Sequence, residues 1–131
     1  MEKILRKLNS HDPFLIAEEL SIHVLEHDLD EIYGYYGKIH NSRFIVLNER
    51  LSDSFKKFTC AHELGHALLH PEELTPKLTR KTMVSNLKIE REANEFATKL
   101  LIDGSHKDYN IRSKYQLLDF YGIPHEMERF I

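Results

Sequence analysis

Residues 62–66 read His-Glu-Leu-Gly-His, an HExxH motif. On a helix, side chains four apart stack on one face about 6 Å apart along the axis, so His62 and His66 can bring two imidazoles to one Zn²⁺ while Glu63 faces a water on the same ion. That is the geometry of metal-assisted hydrolysis. At about 100° per residue, Thr59, His62, Glu63, His66 and His70 share one sector, and the rest of residues 58–70 is apolar or small. Solvent-facing walls are usually built from Lys, Glu, Gln and Arg. Three His, one Glu and one Thr read instead as a metal-facing wall on a buried helix.

A catalytic zinc takes three protein ligands and keeps a fourth position open, so another element must supply a third His, Asp or Glu. In the helical pattern of residues 85–102, Ile89, Ala93, Phe96, Ala97, Leu100 and Leu101 form one apolar arc, with Arg91, Glu92, Glu95 and Lys99 outside it. Glu90 sits inside that arc, where a carboxylate is costly unless it is paired or holds a metal. Glu92, just outside, is the rival ligand. Ala93 and Ala97 are small enough for the two helices to approach closely. Asn94, one turn after Glu90, is placed to hydrogen-bond the far nitrogen of a ligating His. His70 extends the i, i+4 series but stands at the helix end, where a His commonly suits the dipole. Cys60 is on the face opposite His62 and His66. The other six His have no metal-like spacing.

These residues need a frame. Ser52 or Asp53 caps a central helix over residues 54–70, which Pro71 ends. Asp12-Pro13 starts a short amphipathic helix that stops near Ser21. Residues 22–27, 32–40 and 43–47 read as three short strands whose links are too short for a helical crossover, which predicts an antiparallel meander. Residues 71–82 form a polar connector. Asp103-Gly104-Ser105 stops the second long helix, and residues 111–120 and 124–131 read as two shorter helices joined at Gly122. The expected fold is α+β: a small three-stranded antiparallel sheet packed against the central helix and several further helices, in one domain over residues 1–131.

Composition narrows the partners. The chain has 131 residues, 41% hydrophobic and 30% charged, which fits one globular domain. Lys plus Arg total 18 against 21 Asp plus Glu, a net charge of −3, so no basic field exists to hold nucleic acid directly. Apolar runs are far too short to span a membrane, and residues 1–10 carry charges where a signal peptide needs an apolar stretch. A single cysteine fits a reducing compartment, the cytoplasm by default.

The order and spacing of several segments resemble one family. These are Asp12-Pro13-Phe14 with residues 16–22, Gly34-Tyr35-Tyr36, residues 44–48, residues 58–70 and Glu90-Arg91-Glu92-Ala93-Asn94-Glu95-Phe96-Ala97. Together they are similar to the ImmA/IrrE family of small metallopeptidases. The resemblance implies that HExxH supplies two zinc ligands and the base, that Glu90 rather than Glu92 is the third ligand, and that Asn94 orients a ligating His. It also implies a protein encoded by a prophage or mobile element that cleaves a partner repressor of helix-turn-helix type. One departure concerns the loop after the second long helix: the family usually places Pro shortly after its Leu-Leu pair, and Leu100-Leu101-Ile102-Asp103 has none.

The expected mechanism follows. His62, His66 and Glu90 hold one Zn²⁺ with a water in the fourth position, Glu63 takes the proton of that water, and Glu63 then protonates the leaving amine. Tyr33, Tyr35, Tyr36, His106 and Tyr109 are unranked candidates for the oxyanion donor. The Tyr-rich strand with Gly34 and Gly37 is either a sheet edge that receives an extended substrate or a plain hairpin with aromatic cross-strand packing. The alternative function is a non-catalytic antirepressor or binding module with a structural zinc, which requires His70 or Cys60 to close the fourth position.

Overall fold

The computed structural model describes residues 1–131. The helices are α1 (Glu2–Lys7), α2 (Pro13–Glu19), α3 (Asp53–Leu69), α4 (Arg80–Met83), α5 (Lys88–Leu101) and α6 (Lys114–Tyr121). The strands β1 (Ile22–His27), β2 (Gly34–Ile39) and β3 (Ser42–Asn48) lie between α2 and α3, and two 3-10 segments, Ser105–Asp108 and His125–Phe130, complete the chain. No helix is long and apolar enough to cross a membrane.

The fold class is the expected α+β, but the sheet is not an antiparallel meander. Its order is β1-β3-β2, with β3 parallel to β1 and antiparallel to β2. Burial explains the order. Ile45, Val46 and Leu47 of β3 are all at most 3% exposed, and a strand apolar on both faces belongs in the middle of a sheet. β1 carries exposed His23, Glu26 and His27, which an edge tolerates. The link over residues 28–33 therefore passes the end of β3 and leaves a slot for it. Asn48, the last residue of β3, holds that link through its side-chain amide, which donates to the carbonyls of Asp30 at 2.9 Å and Ile32 at 3.0 Å. A short link excludes a helical crossover, but it does not make consecutive strands neighbours.

Local chemistry sets the helix limits. The Asp12 carboxylate accepts from the Phe14 amide at 2.9 Å with Pro13 at the first helical position, and Ser52 caps α3 by accepting from the Phe55 amide at 3.3 Å. α6 stops at Gly122, whose left-handed φ of 67° suits a residue without a side chain. The final segment is a 3-10 helix rather than an α-helix. The polar connector is more ordered than its composition suggests. Leu78 bridges to Gly34 on the outer side of β2, and Thr79 and Thr82 form a reciprocal cap that starts α4.

α3 lies at the centre, packed against α5 on one side and against α2 and the sheet on others. Two glycines set how closely its neighbours approach. A Cβ on Gly65 would come within 3.0 Å of the Phe96 ring and 3.3 Å of the Ala93 backbone, so Gly65 is where α5 touches α3. On Gly34 a Cβ would lie 2.7 Å from the Thr59 methyl and 2.8 Å from the Val46 carbonyl oxygen, which brings β2 directly onto α3. The core joins Phe58, Cys60, Ala61 and Leu64 of α3 to Phe96, Ala97 and Leu100 of α5, with Ile45 and Leu47 of β3.

Candidate metal centre

His62, Glu63 and His66 are fully buried on α3, and Glu90 and Asn94 are fully buried on α5. α5 crosses where Gly65 and Ala93 meet, which places Glu90 opposite the two imidazoles. One Glu90 carboxylate oxygen, Oε1, is 2.7 Å from His66 Nε2 and 3.8 Å from His62 Nε2. The two imidazole rings stand at 85° with centroids 4.8 Å apart, so their Nε2 atoms converge instead of stacking. Glu63 lies on the same wall, within 4.8 Å of both imidazoles by its nearest ligand atom. Both carboxylates border the converging nitrogens. Glu90 is the nearer and faces them from the opposite helix.

Most of the buried side-chain nitrogen and oxygen atoms without a hydrogen-bond partner belong to these residues: His62 Nε2, His66 Nε2, and both carboxylate oxygens of Glu63 and of Glu90; the hydroxyls of Thr59 and Tyr36 are the others. Folded proteins rarely leave buried polar atoms unsatisfied, and a cluster of them marks a site. The 2.7 Å approach of His66 Nε2 to Glu90 Oε1 lacks the alignment of a hydrogen bond. Neither buried carboxylate is paired with a Lys or Arg. Two imidazole nitrogens and two carboxylates converging without a cation fit a divalent metal, which would satisfy the lone pairs and the negative charge together.

Protonation follows the burial. Desolvation, with smaller repulsion from His66 and His70, lowers the His62 pKa to about 3, so this imidazole is neutral and its lone pair is free to bind at neutral pH. Burial, and next the Glu90 charge, push Glu63 well above the usual carboxylate range, with the Tyr36 backbone amide opposing.

The atoms behind the imidazoles are also placed. His62 Nδ1 is 2.8 Å from Asn94 Oδ1, and Asn94 Nδ2 donates to the Met83 carbonyl at 2.8 Å. The second bond fixes which end of the amide faces His62, so Asn94 Oδ1 accepts a hydrogen bond from the protonated Nδ1 and leaves Nε2 bare. Asn94 therefore stands where the spacing predicted. His66 Nδ1 is 3.2 Å from His70 Nδ1, and His70 Nε2 is 3.4 Å from Glu92 Oε1. Glu92 thus points away from the converging nitrogens and reaches His70 at the C-terminal cap of α3. Cys60 is buried in the apolar core, and burial pushes its thiol up to about 12.

Among the five oxyanion candidates, four have other engagements. Tyr33 packs on Phe55 at 4.8 Å, Tyr35 lies under Lys77 Nζ at 5.4 Å, His106 bonds the Tyr121 hydroxyl at 2.6 Å, and Tyr109 packs on Phe120 at 5.0 Å. Tyr36 differs. It shares with Gly34 the face of β2 that meets α3, and its hydroxyl is buried without a partner. The sequence offered five aromatic or imidazole groups of similar standing. Strand alternation measured from Gly34 is what separates Tyr36 from them.

A buried HExxH helix crossed by a carboxylate-bearing helix beside a small mixed sheet defines a zincin-like α+β domain. The chain belongs to the peptidase family described as the IrrE N-terminal-like domain, which it matches over residues 17–127. It is similar to an uncharacterized immunity region protein 2 of Bacillus phage phi105, 37% identical over 103 residues that make up 78% of this chain and 65% of the phage protein. It is also similar to metallopeptidase ImmA of Bacillus subtilis strain 168, 25% identical over 131 residues, covering 95% of this chain and 76% of that protein. The chain thus spans a little under two thirds of the phage relative's length.

Proposed function

We propose that this protein is a zinc endopeptidase that cleaves a partner protein, a helix-turn-helix repressor of a prophage or mobile element, in the cytoplasm. The observation that carries the reading is the convergence of buried, unpartnered His62 Nε2, His66 Nε2 and Glu90 oxygens beside Glu63. His62, His66 and Glu90 would hold one Zn²⁺ per chain. When bound, Zn²⁺ lowers the pKa of a coordinated water toward about 7 and polarises a peptide carbonyl. Glu63 takes the proton from the attacking water at a carboxylate oxygen and delivers it to the departing amine nitrogen. Asn94 holds His62 by its Nδ1 and keeps Nε2 free for the metal. The Tyr36 hydroxyl donates to the carbonyl oxygen as charge builds on it.

The outer edge of β2 suits an extended substrate. Gly34 is already bridged to Leu78, and the pairing of Tyr35 with Val46 and Gly37 with Phe44 turns the backbone of Tyr36 and Lys38 outward. A peptide added there runs alongside Glu63. The repressor is supported by the resemblance of the motifs, and the immunity-region name of the phage relative is compatible with it. A structural, closed zinc requires a fourth protein ligand. Cys60 sits in the core, and both ring nitrogens of His70 are engaged elsewhere, which weighs against that reading.

Native mass spectrometry of the wild type, Glu90→Ala and Glu92→Ala at saturating zinc tests the site. One zinc in the wild type and in Glu92→Ala, with none in Glu90→Ala, is the expected result. Absence of zinc from the wild type overturns the proposal. Cleavage of a neighbouring-gene repressor by the wild type, and its loss in Glu63→Gln at full zinc content, tests the reaction.

A further inference from the structure

We infer that His70 and Glu92 form a directed hydrogen-bond chain that positions His66, making both of them positioning residues for the metal centre. The inference rests on the ligand set proposed above and goes beyond it. To hold a cation, His66 must present the lone pair of Nε2, so its ring proton resides on Nδ1. The atom facing that proton, at 3.2 Å, is His70 Nδ1, a ring nitrogen that must then be the acceptor. An imidazole accepting at Nδ1 carries its own proton on Nε2, and that nitrogen faces Glu92 Oε1 at 3.4 Å. Each bond dictates the direction of the next. The chain starts at a buried ligand and ends on a carboxylate at the surface, where Glu92 is 37% exposed and keeps its charge solvated.

The two ligating imidazoles are therefore held by unlike devices. His62 is held by the neutral amide of Asn94, while His66 is held through a second imidazole by a negative charge. Partners behind metal-bound His fix ring orientation and raise ligand basicity. The arrangement accounts for two residues whose spacing made them rival ligands. His70 continues the i, i+4 row because a ring one turn beyond His66 meets its Nδ1, and Glu92 lies off the apolar arc of α5 because it must reach the end of α3.

The test is zinc affinity, measured by competition with a chromophoric chelator, alongside thermal unfolding of the metal-free protein. His70→Phe keeps the ring volume and removes both bonds; it should weaken zinc binding about 10- to 100-fold. His70→Gln, whose carbonyl can accept from His66, should recover most of that loss. Glu92→Ala should weaken binding less, and the double variant His70→Phe with Glu92→Ala should be no weaker than His70→Phe alone, because Glu92 acts only through His70. Equal affinity of His70→Phe and the wild type overturns the inference, as does an additive loss in the double variant. If His70→Phe unfolds more readily, His70→Gln decides: equally weak zinc binding in both overturns the chain. Glu90→Ala is the control, since wild-type affinity there would overturn the ligand set itself.

Discussion

Glu63→Gln in the metal-free protein removes one of two opposing contributions to how stability depends on pH. Glu63 is fully buried, and its folded pKa is raised well above the ordinary carboxylate value of 4.5, first by burial and then by the Glu90 charge. Between 4.5 and the raised value, the folded state binds a proton that the unfolded state has released, so stability falls as pH rises. His62 acts in the opposite direction. Its folded pKa of about 3 lies below 6.5, so between those values the unfolded state binds the extra proton and stability rises with pH. Each slope is at most about 1.4 kcal/mol per pH unit. Between 4.5 and 6.5 the two oppose each other, and above 6.5 the His62 gain is complete.

Replacing Glu63 with the neutral, similarly shaped Gln removes that loss. The difference in stability between variant and wild type should therefore grow with pH from 4.5 up to the raised Glu63 pKa, at no more than about 1.4 kcal/mol per unit. Urea denaturation in chelator at half-unit pH steps measures it. Parallel curves for the two proteins at every pH above 4.5 would refute the assignment of a raised pKa to buried Glu63. Saturating zinc should close the gap, because a dication compensates the carboxylate charge that the empty protein neutralises with a proton.

Three further perturbations address neighbouring parts of the centre. Asn94→Ala removes the acceptor at His62 and the donor to Met83, and chelator competition should show zinc binding about 10- to 100-fold weaker. Gly34→Ala places a methyl 2.7 Å from Thr59 and 2.8 Å from a backbone oxygen; it should destabilise the fold by about 1–3 kcal/mol in denaturant titrations. Tyr36→Phe should lower kcat about 10²- to 10³-fold with zinc content and KM little changed, whereas Tyr35→Phe, engaged with Lys77, should retain wild-type turnover.

The parts of the site that could be read from the sequence are those set by helical periodicity. His62, Glu63, His66, Glu90 and Asn94 each follow from winding a helix, and the structure brings all five together. Contacts between elements were legible only where residue size gave them away, as at Ala93, which the structure sets against Gly65. The order of the strands depended on a competition for the central slot. β3 won it by apolar content, and link length carries no information about that contest. Tyr36 and the bridge from Leu78 to Gly34 were hidden for a related reason, since both depend on how β2 is set against α3.

The position of Gly65 inside the motif links the packing to the chemistry. Any side chain there meets Phe96 and the backbone of Ala93, and Ala93 follows Glu90 by one turn of α5. Moving α5 outward by a few tenths of an ångström at that crossing shifts Glu90 away from both imidazoles, because the helix moves as a rigid body at its point of contact. Gly65→Ala gains roughly 1 kcal/mol of helix propensity in α3, so stability alone is a poor reporter of the damage. Zinc affinity is the informative one: it should fall in Gly65→Ala even where the unfolding temperature is unchanged. The smaller Phe96→Leu, added to Gly65→Ala, should restore part of it by relieving the contact nearest to the new methyl. Undiminished zinc affinity in Gly65→Ala would show that Glu90 is placed by something other than this crossing.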